Sequence, residues 1–231
     1  MSMNKIEQIR LDNTVNDLLD LNVKSYCDLG PGYGYLPTKL KENNKDVVFV
    51  ESEWNEYLVK KWAPETGIKY YIKDFLMDDF DFFEERIDCF SLVHCIAHFH
   101  IPPQILMEKV YNKLPEGGYF YISTVNGSSL SRVMKLFRGQ PVTGKVSKSS
   151  DPNNFTNVYL RTRLGIDRHL TYSDWMHVKE YTKPELEEMM IAEGFKIHKS
   201  FWRNNFNHWK QKMASSFRKS LSEEIIIIGQ K

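Results

Sequence analysis

Two hydrophobic patterns alternate along the chain. Short runs of apolar residues are typical of strands buried on both faces, and segments with apolar residues every three or four positions are typical of helices. The runs occupy residues 47–50, 70–72, 87–94, 119–126, 197–202 and 224–229. The helical spacing occupies residues 15–19, 36–40, 105–114, 127–138 and 182–193. Strands that alternate with helices predict an α/β fold whose sheet is mostly parallel.

A glycine-rich turn follows the first predicted strand and precedes a helix. Residues 26–36 read Tyr-Cys-Asp-Leu-Gly-Pro-Gly-Tyr-Gly-Tyr-Leu. Glycines at such a turn let a ligand approach the backbone, and the helix N-terminus offers free N–H groups. The dinucleotide fingerprint G-x-G-x-x-G would need glycine at the position of Tyr35, whereas the third glycine is Gly34. The spacing therefore disfavours NAD.

The segment Asp-Leu-Gly-Pro-Gly-Tyr-Gly resembles motif I of the class I S-adenosylmethionine-dependent methyltransferases. The order of the features that follow resembles motifs IV to VI of the same family. These features are a strand that begins at the acid Asp88, then His98, a helix, Leu-Pro-Glu-Gly-Gly at 114–118 and a strand that ends at Asn126. These motifs are similar to those of the small-molecule and glycan O-methyltransferase branch, which includes the ubiquinone-biosynthesis methyltransferases. The resemblance implies S-adenosyl-L-methionine as cofactor. It also implies a Rossmann-like, seven-stranded, mostly parallel sheet with helices on both faces, an antiparallel last strand, and a helical and loop insertion after strand five.

Candidate cofactor-binding residues lie at the ends of the predicted strands. Glu51 ends the second strand, where a carboxylate can accept hydrogen bonds from both ribose hydroxyls. In the family, an acid after the third strand binds the adenine amine and the next apolar residue covers the ring; Asp74 and Phe75 match, although the aspartates within 78–81 compete. His94 would lie beside the methionine part of the cofactor. The predicted set is Asp28, Gly30, Pro31, Gly32, Glu51, Asp74, Phe75 and His94.

Methyl transfer from a sulfonium is an in-line displacement, in which a protein aligns the nucleophile and excludes water. A hydroxyl nucleophile benefits from a base that titrates near pH 7, and histidine is suited to this role. His94, His98, His100 and His177 are candidates. His98 and His177 match family positions and are the predicted catalytic residues, and the sequence leaves open which of them acts. We identify no carboxylate cluster for a metal, so no metal is predicted.

Residues 127–181 are predicted to form a substrate-recognition insertion. Within it, residues 139–157 are rich in Gly, Pro, Ser and Asn, which is typical of a long functional or mobile loop. We expect this loop to act as a lid over the acceptor. Aromatic and basic side chains beyond it would stack on, and hydrogen-bond to, a polar acceptor such as a sugar. The predicted substrate-binding residues are Tyr159, Arg161, Arg163 and Tyr181.

Composition adds limits to this interpretation. The 231 residues fit one domain, 1–231, with 42% hydrophobic and 26% charged residues. A net charge of +1 gives no general attraction to nucleic acid. The three cysteines lack C-x-x-C spacing, which favours reduced thiols in a cytoplasmic protein. No apolar run reaches the length of a membrane span.

The leading prediction is an S-adenosylmethionine-dependent methyltransferase, most simply an O-methyltransferase, that acts on a small-molecule or glycan acceptor. Two alternatives stay open. One is a catalytically silent, cofactor-binding subunit that works through a partner. The other is an RNA methyltransferase that uses the basic segment 199–219, where Lys and Arg alternate with aromatic residues and no acid occurs. For this segment we favour aromatic side chains that pack into the core. The sequence does not determine the oligomeric state.

Overall fold

The structure, a computed structural model, describes residues 5–143, 146–148, 155–168, 170–172, 177–205 and 209–231. Its strands are β1 (Ser25–Leu29), β2 (Asp46–Glu51), β3 (Lys69–Ile72), β4 (Cys89–Val93), β5 (Tyr119–Val125), β6 (Val146–Lys148), β7 (Leu170–Tyr172), β8 (Lys196–Arg203) and β9 (Glu224–Gln230). Its α-helices are α1 (Lys5–Asp20), α2 (Tyr35–Glu42), α3 (Glu56–Thr66), α4 (Gln104–Lys113), α5 (Leu130–Phe137), α6 (Phe155–Arg163), α7 (Lys183–Ala192) and α8 (Trp209–Phe217).

Seven strands form one sheet in the order β3-β2-β1-β4-β5-β9-β8. Neighbours among β1 to β5 pair in parallel, and β9 is antiparallel to both β5 and β8. This arrangement confirms the predicted fold class. The strand order reverses between β1 and β4, and in open α/β sheets the crevice at such a reversal binds ligands at the carboxyl ends of the strands.

The core lies on both faces of this sheet. Along β9, Ile225 and Ile227 contribute to one hydrophobic cluster, while Ile226 and Ile228 contribute to the other. Helices α4 and α7 belong to the first cluster, and α1 and α2 to the second. A continuous apolar run is therefore required in β9, because successive side chains alternate between two buried faces.

The turn between β1 and α2 needs its glycines. Gly30, Gly32 and Gly34 all have positive φ, at 75°, 56° and 74°. A Cβ at Gly34 would lie 2.4 Å from the ring of Trp62, and one at Gly30 would lie 2.7 Å from Cys95 Sγ. Both conformation and space therefore select glycine at these two positions.

The insertion differs from the sequence prediction. The expected loop at 139–157 contains the short strand β6, which pairs with β7, and helix α6 begins at Phe155. Local composition does not reveal β6, because its pairing partner lies beyond α6. The other residues of the predicted lid beyond 143 lie outside the described part of the chain. Helix α5 forms as expected, but none of its side chains is fully buried and Phe137 is 84% exposed.

Helix α1 extends over Lys5–Asp20 and so begins well before the helical spacing at 15–19. Its residues Val15 and Leu18 are buried against the sheet, as their spacing predicts. The additional turns bring Ile6, Glu7 and Arg10 to the carboxyl ends of the central strands. Among the helices that the structure describes, none is long and apolar enough to cross a membrane.

Candidate active site

Glu51 lies at the carboxyl end of β2 beside the glycine turn. Its Oε2 accepts a hydrogen bond from the Gly32 N–H at 3.1 Å, and its Oε1 accepts from the Ser52 N–H at 2.9 Å and Asn55 Nδ2 at 3.2 Å. The residue is 2% exposed. Burial raises the pKa of Glu51, and these hydrogen bonds oppose the rise. A carboxylate that accepts hydrogen bonds from Gly32, Ser52 and Asn55 is thus fixed next to the glycines, where the sequence predicts the ribose.

Asp28 lies beneath the same turn, near the end of β1. It is buried, and its Oδ1 accepts a hydrogen bond from Ser91 Oγ on β4 at 2.7 Å. Burial raises the pKa of Asp28 to about 7, against the lowering effect of the Ser91 hydroxyl. This hydrogen bond connects the side chains of the two strands that border the crevice. Direct contact between Asp28 and the cofactor stays a prediction.

Asp74 and Phe75 lie after β3. Asp74 is buried, and its Oδ1 accepts hydrogen bonds from the backbone N–H groups of Leu76 at 3.1 Å and Met77 at 3.3 Å. Phe75 lies near Gly30, since a Cβ at that glycine would be 3.8 Å from Phe75 Cζ. Both residues are thus in the region where the sequence predicts adenine, with Asp74 organising its own turn. Pro31 accepts a hydrogen bond from the Gly34 N–H at 3.0 Å within the glycine turn.

His94 follows β4 directly and has an uncommon backbone conformation. Its φ of 56° lies in the left-handed region, which non-glycine residues rarely adopt and which is frequent at functional sites. The backbone N–H of His94 donates to the Ser123 carbonyl on β5 at 2.9 Å. The conformation directs the imidazole toward the start of β9, where Nε2 lies 2.7 Å from Glu224 Oε1.

The charge states of this pair follow from its surroundings. Burial lowers the pKa of His94, and the hydrogen bond to Glu224 opposes this. Burial would raise the pKa of Glu224, but hydrogen bonds from His94 and Asn205 and the charge of Arg203 bring it below its ordinary value. Asn205 Nδ2 lies 2.5 Å from Glu224 Oε2. Glu224 is therefore ionised and His94 neutral, so Nε2–H donates to the carboxylate and Nδ1 is left as an acceptor.

The structure brings the two predicted catalytic histidines together. The ring centroids of His98 and His177 are 4.7 Å apart, with the rings edge to face. His98 ends a short 3-10 turn, 96–98, and Val178 N–H donates to the Ala97 carbonyl in that turn at 2.7 Å. This backbone contact places His177 beside a residue far from it in sequence.

Glu180 orients His177. Its Oε1 lies 3.0 Å from His177 Nδ1, and its carboxylate also accepts two hydrogen bonds from Arg132. Burial would raise the pKa of Glu180, but His177 and Arg132 bring it below its ordinary value. The segment can approach β5 because residue 127 is glycine: a Cβ at Gly127 would lie 2.7 Å from the Glu180 carbonyl oxygen.

Two cavities share the wall formed by Arg10, His94 and Val125 at the carboxyl ends of β4 and β5. The first, of about 360 Å³, is also lined by Ile6, Glu7, Asn205, Glu223 and Glu224. The second, of about 290 Å³, is also lined by Ala97, His98, Thr124 and His177. All three histidines therefore face one cavity.

Sequence reasoning missed Arg10, Thr124 and Glu224. Glu224 could have been indicated by its position, since it is an acid that directly precedes the apolar run of β9.

Of the four predicted substrate-binding residues, Tyr181 and Arg161 have side chains that the structure describes. Tyr181 is 4% exposed and belongs to the main core cluster, and burial raises the pKa of its hydroxyl. Arg161 is exposed on α6, and the side chains of Tyr159 and Arg163 lie outside the described part of the structure. Neither Tyr181 nor Arg161 lines the two cavities. Their contact with a substrate stays a prediction.

The basic segment 199–219 is partly packed and partly exposed. Phe201 and Trp202 on β8 pack against the hydrophobic clusters, as favoured from the sequence. Trp209 and Phe217, at the ends of α8, are instead 67% and 87% exposed. Phe206 lies outside the described residues. No group of three or more His, Cys, Asp or Glu side chains in the described ranges is placed to hold a metal ion.

Comparisons with known proteins agree with this architecture. Residues 3–200 match the family model described as "Methyltransferase domain". No curated protein matched the sequence. The S-adenosylmethionine-dependent methyltransferase SibL is 15% identical with a TM-score of 0.59; the alignment covers 97% of this chain and 55% of SibL, so the chain spans just over half of that protein.

Two further solved structures cover more of their own chains. A S-adenosylmethionine-dependent methyltransferase from Clostridium acetobutylicum is 14% identical, with a TM-score of 0.61 and coverage of 96% and 91% of the two chains. The 1,6-didemethyltoxoflavin-N1-methyltransferase of Burkholderia thailandensis, solved with bound 1,6-didemethyltoxoflavin and S-adenosylhomocysteine, is 17% identical, with a TM-score of 0.54 and coverage of 96% and 77%. The chain belongs to the methyltransferase-domain family and is a class I S-adenosylmethionine-dependent methyltransferase, with S-adenosyl-L-methionine as its cofactor.

Proposed function

We propose that the protein methylates a hydroxyl oxygen of a small-molecule or sugar-containing acceptor, with a histidine as general base. The observation that carries this proposal is the convergence of His94, His98 and His177 on one cavity at the carboxyl ends of β4 and β5. Two of the three imidazoles are hydrogen-bonded to buried carboxylates, Glu224 and Glu180. A base oriented by a carboxylate suits an oxygen acceptor, which must lose a proton during transfer.

The residues around the glycine turn fit the cofactor. Gly32 has open space above it, since a Cβ there would meet no atom within 4 Å, and Glu51 offers a fixed carboxylate beside it. S-adenosyl-L-methionine supplies the methyl group as a sulfonium. We assign the ribose to Glu51, the adenine to Asp74 and Phe75, and the methionine part to the turn at Gly30–Gly32 and to the backbone at His94.

The chain's own residues then handle the acceptor proton. Nδ1 of His94 is positioned as an acceptor because Nε2–H is engaged by Glu224, and the negative carboxylate stabilises the imidazolium that forms. His177 has a similar partner in Glu180, and His98 lies against it. His98 and His177 remain the candidates that the family positions favour, and His94 joins them on geometry.

The dimensions of the site support a small acceptor. Cavities of about 290 and 360 Å³ lie at the lower end of the range for small-molecule sites. The relative from Burkholderia thailandensis acts on the small molecule 1,6-didemethyltoxoflavin. Three free cysteines, two of them buried, support a reducing, cytoplasmic setting.

Transfer of isotope-labelled methyl groups tests the proposal. Purified protein is incubated with labelled S-adenosylmethionine and a small-molecule extract of cells that express it, and products are identified by mass spectrometry. We expect an O-methylated product. Separate Asn variants of His94, His98 and His177 identify the base, whose loss should lower kcat by about 10²- to 10⁴-fold. The control is His198→Asn, an exposed histidine on β8.

The same experiment distinguishes the alternatives. Label that enters only RNA would favour an RNA methyltransferase, for which the exposed Trp209 and Phe217 of the basic segment would be the contacts. Binding of S-adenosylhomocysteine without transfer to any fraction would favour the silent, cofactor-binding subunit. An N-methylated small molecule would refute the hydroxyl acceptor.

A further inference from the structure

Arg10 occupies an unusual position on α1. Its side chain forms part of the wall of both cavities, yet its Nε is buried and has no hydrogen-bond partner in the described part of the structure. The nearest acid on its own helix is Glu7, whose Oε1 lies 3.8 Å from Arg10 Nη2, beyond hydrogen-bond distance. The Arg10 side chain as a whole is 26% exposed and forms a long ion pair with Glu7, but its buried Nε donor lacks an acceptor, which a ligand at the cavity would supply.

Thr124 provides a second, independent indication. It lies near the carboxyl end of β5, is fully buried, and lines the 290 Å³ cavity together with Arg10. Its Oγ1 has no hydrogen-bond partner within the described ranges. Two buried donors, one from α1 and one from β5, therefore border the same cavity. Because most buried polar groups in proteins are hydrogen-bonded, two such groups at one cavity indicate a polar ligand.

The charges around the two cavities differ. Glu7, Glu223 and Glu224 line the 360 Å³ cavity. The 290 Å³ cavity is lined by Arg10 and three histidines, with no acid among its described lining residues. The charge of Arg10 also contributes to the lowered pKa of His94. Glu224 and Glu180 hydrogen-bond to two of these histidines without lining the cavity, so Arg10 is the side chain among the described lining residues whose charge attracts a negative group.

The source of this negative group follows from which elements line the cavity. Its lining residues come from α1, the 96–98 turn, the ends of β4 and β5, and His177. The glycine turn, β2 and β3, which border the candidate cofactor crevice, contribute none of the lining residues identified. His94, whose backbone we assign to the methionine part, lines this cavity as well, so the cavity adjoins the methionine end of the crevice. Because the other lining residues lie outside that crevice, we assign the negative group to the acceptor, and the test below separates it from the methionine carboxylate.

We propose that Arg10, assisted by Thr124, binds an oxyanion of the acceptor, so that the substrate is a hydroxylated molecule that carries a carboxylate or a phosphate group. This inference rests on the proposed function and names its substrate class. With the oxyanion held by Arg10, the hydroxyl of the same molecule is presented to the histidines. A guanidinium suits this role because its planar set of donors matches carboxylate and phosphate oxygens.

The test uses the full chain as wild type and as Arg10→Gln, Arg10→Lys and Thr124→Val. The matched control is Arg86→Gln; Arg86 is 75% exposed and pairs with Asp88 just before the amino end of β4, whereas the cavity lies at the carboxyl end. Labelled methyl product formed from a small-molecule extract is passed over an anion-exchange resin at neutral pH. Mass spectrometry of the retained product distinguishes a carboxylate from a phosphate.

We expect the labelled product to be retained on the resin. With the isolated acceptor, Arg10→Gln should raise KM at least tenfold and change kcat by less than threefold. Arg10→Lys should retain part of the affinity, Thr124→Val should raise KM about threefold, and Arg86→Gln should behave as wild type. Calorimetry should give the same affinity for S-adenosylhomocysteine, within twofold, for wild type and Arg10→Gln.

Two results would overturn the inference while leaving the proposed function intact. One is an O-methylated product that is neutral and unaffected by Arg10→Gln. The other is a tenfold or greater loss of S-adenosylhomocysteine affinity in Arg10→Gln, together with no such loss when decarboxylated S-adenosylhomocysteine is the probe. That result would show that Arg10 binds the carboxylate of the cofactor. If wild-type protein forms no small-molecule product at all, the proposed function fails and this inference fails with it.

Discussion

Replacing Glu51 by Gln tests the assignment of the ribose site. The carboxylate is 2% exposed and beside Gly32, so a ribose bound there would make charge-assisted hydrogen bonds away from bulk water. A hydrogen bond to a charged group contributes about 1.5–3 kcal/mol. Since about 1.4 kcal/mol corresponds to a factor of ten in Kd, Glu51→Gln should weaken binding of S-adenosylhomocysteine about 10- to 100-fold.

Fold stability should change little in this variant. Gln keeps one acceptor oxygen for Gly32 or Ser52, and it removes a charge whose burial raises the pKa of the native carboxyl. Loss of the second acceptor oxygen should lower the free energy of unfolding, and loss of the buried charge should raise it, so the two effects oppose each other. We expect Tm of the ligand-free protein to change by less than about 4 °C, which corresponds to about 1 kcal/mol for a chain of this size.

The pH dependence of binding gives a second readout. Because burial raises the pKa of Glu51 above its ordinary 4.5, the carboxylate becomes protonated at a higher pH than an exposed glutamate. Binding of S-adenosylhomocysteine to wild type should therefore weaken on acidification before pH 4.5 is reached. This dependence should be absent in Glu51→Gln.

Isothermal calorimetry measures both effects, with Glu53→Gln, an exposed acid two positions away, as the control. If Glu51→Gln binds S-adenosylhomocysteine as tightly as wild type, Glu51 does not bind the ribose. A similar loss in Glu53→Gln would contradict the assignment to one buried carboxylate.

Further predictions concern stability, catalysis and ligand choice. Burial raises the pKa of Asp28 to about 7 in the folded protein, against 3.8 ordinarily, so the free energy of unfolding falls as the pH rises between these two values. In urea unfolding, Asp28→Asn should therefore be stabilised relative to wild type most strongly above pH 7. A stabilisation of equal size at pH 4 would contradict this. Glu224→Gln should lower methyl transfer at least tenfold through His94, with S-adenosylhomocysteine affinity unchanged in calorimetry. Limited proteolysis within 139–157 should slow when S-adenosylhomocysteine and acceptor are both present; equal cleavage would refute a lid. NAD should give no binding heat, since Tyr35 replaces the glycine that its fingerprint needs.

The strands and the glycine turn could be predicted because their signals are local. The run 225–228 is apolar at every position because β9 is buried on both faces, and α7 falls within the helical spacing at 182–193, with Thr182 and Glu185 forming a capping box at its start. The position of Glu51 also followed from local order, since it ends a strand that pairs in parallel with β1. Such features depend on neighbours a few residues apart.

The acceptor site could not be predicted to the same depth, because its residues meet only through the fold. His94 and Glu224 come from opposite halves of the chain and are brought together by the pairing of β4 with β5 and of β5 with β9. Arg10 on an amphipathic helix has the pattern of an ordinary surface residue, and only the packing of α1 over the strand ends brings it to the cavities. Tyr181 differs from Arg10 in the other direction: the sequence predicts it at the substrate, and the fold buries it in the core.

O-methylation can be measured directly by following a ¹³C-labelled methyl group from S-adenosylmethionine into a small-molecule extract and locating it by NMR in the purified product. We expect a ¹³C-methyl group bound to oxygen. This signal should disappear in at least one of the three histidine variants and persist in His198→Asn. Label on nitrogen, label confined to RNA, or the same signal in all three histidine variants would contradict methyl transfer to oxygen with a histidine base.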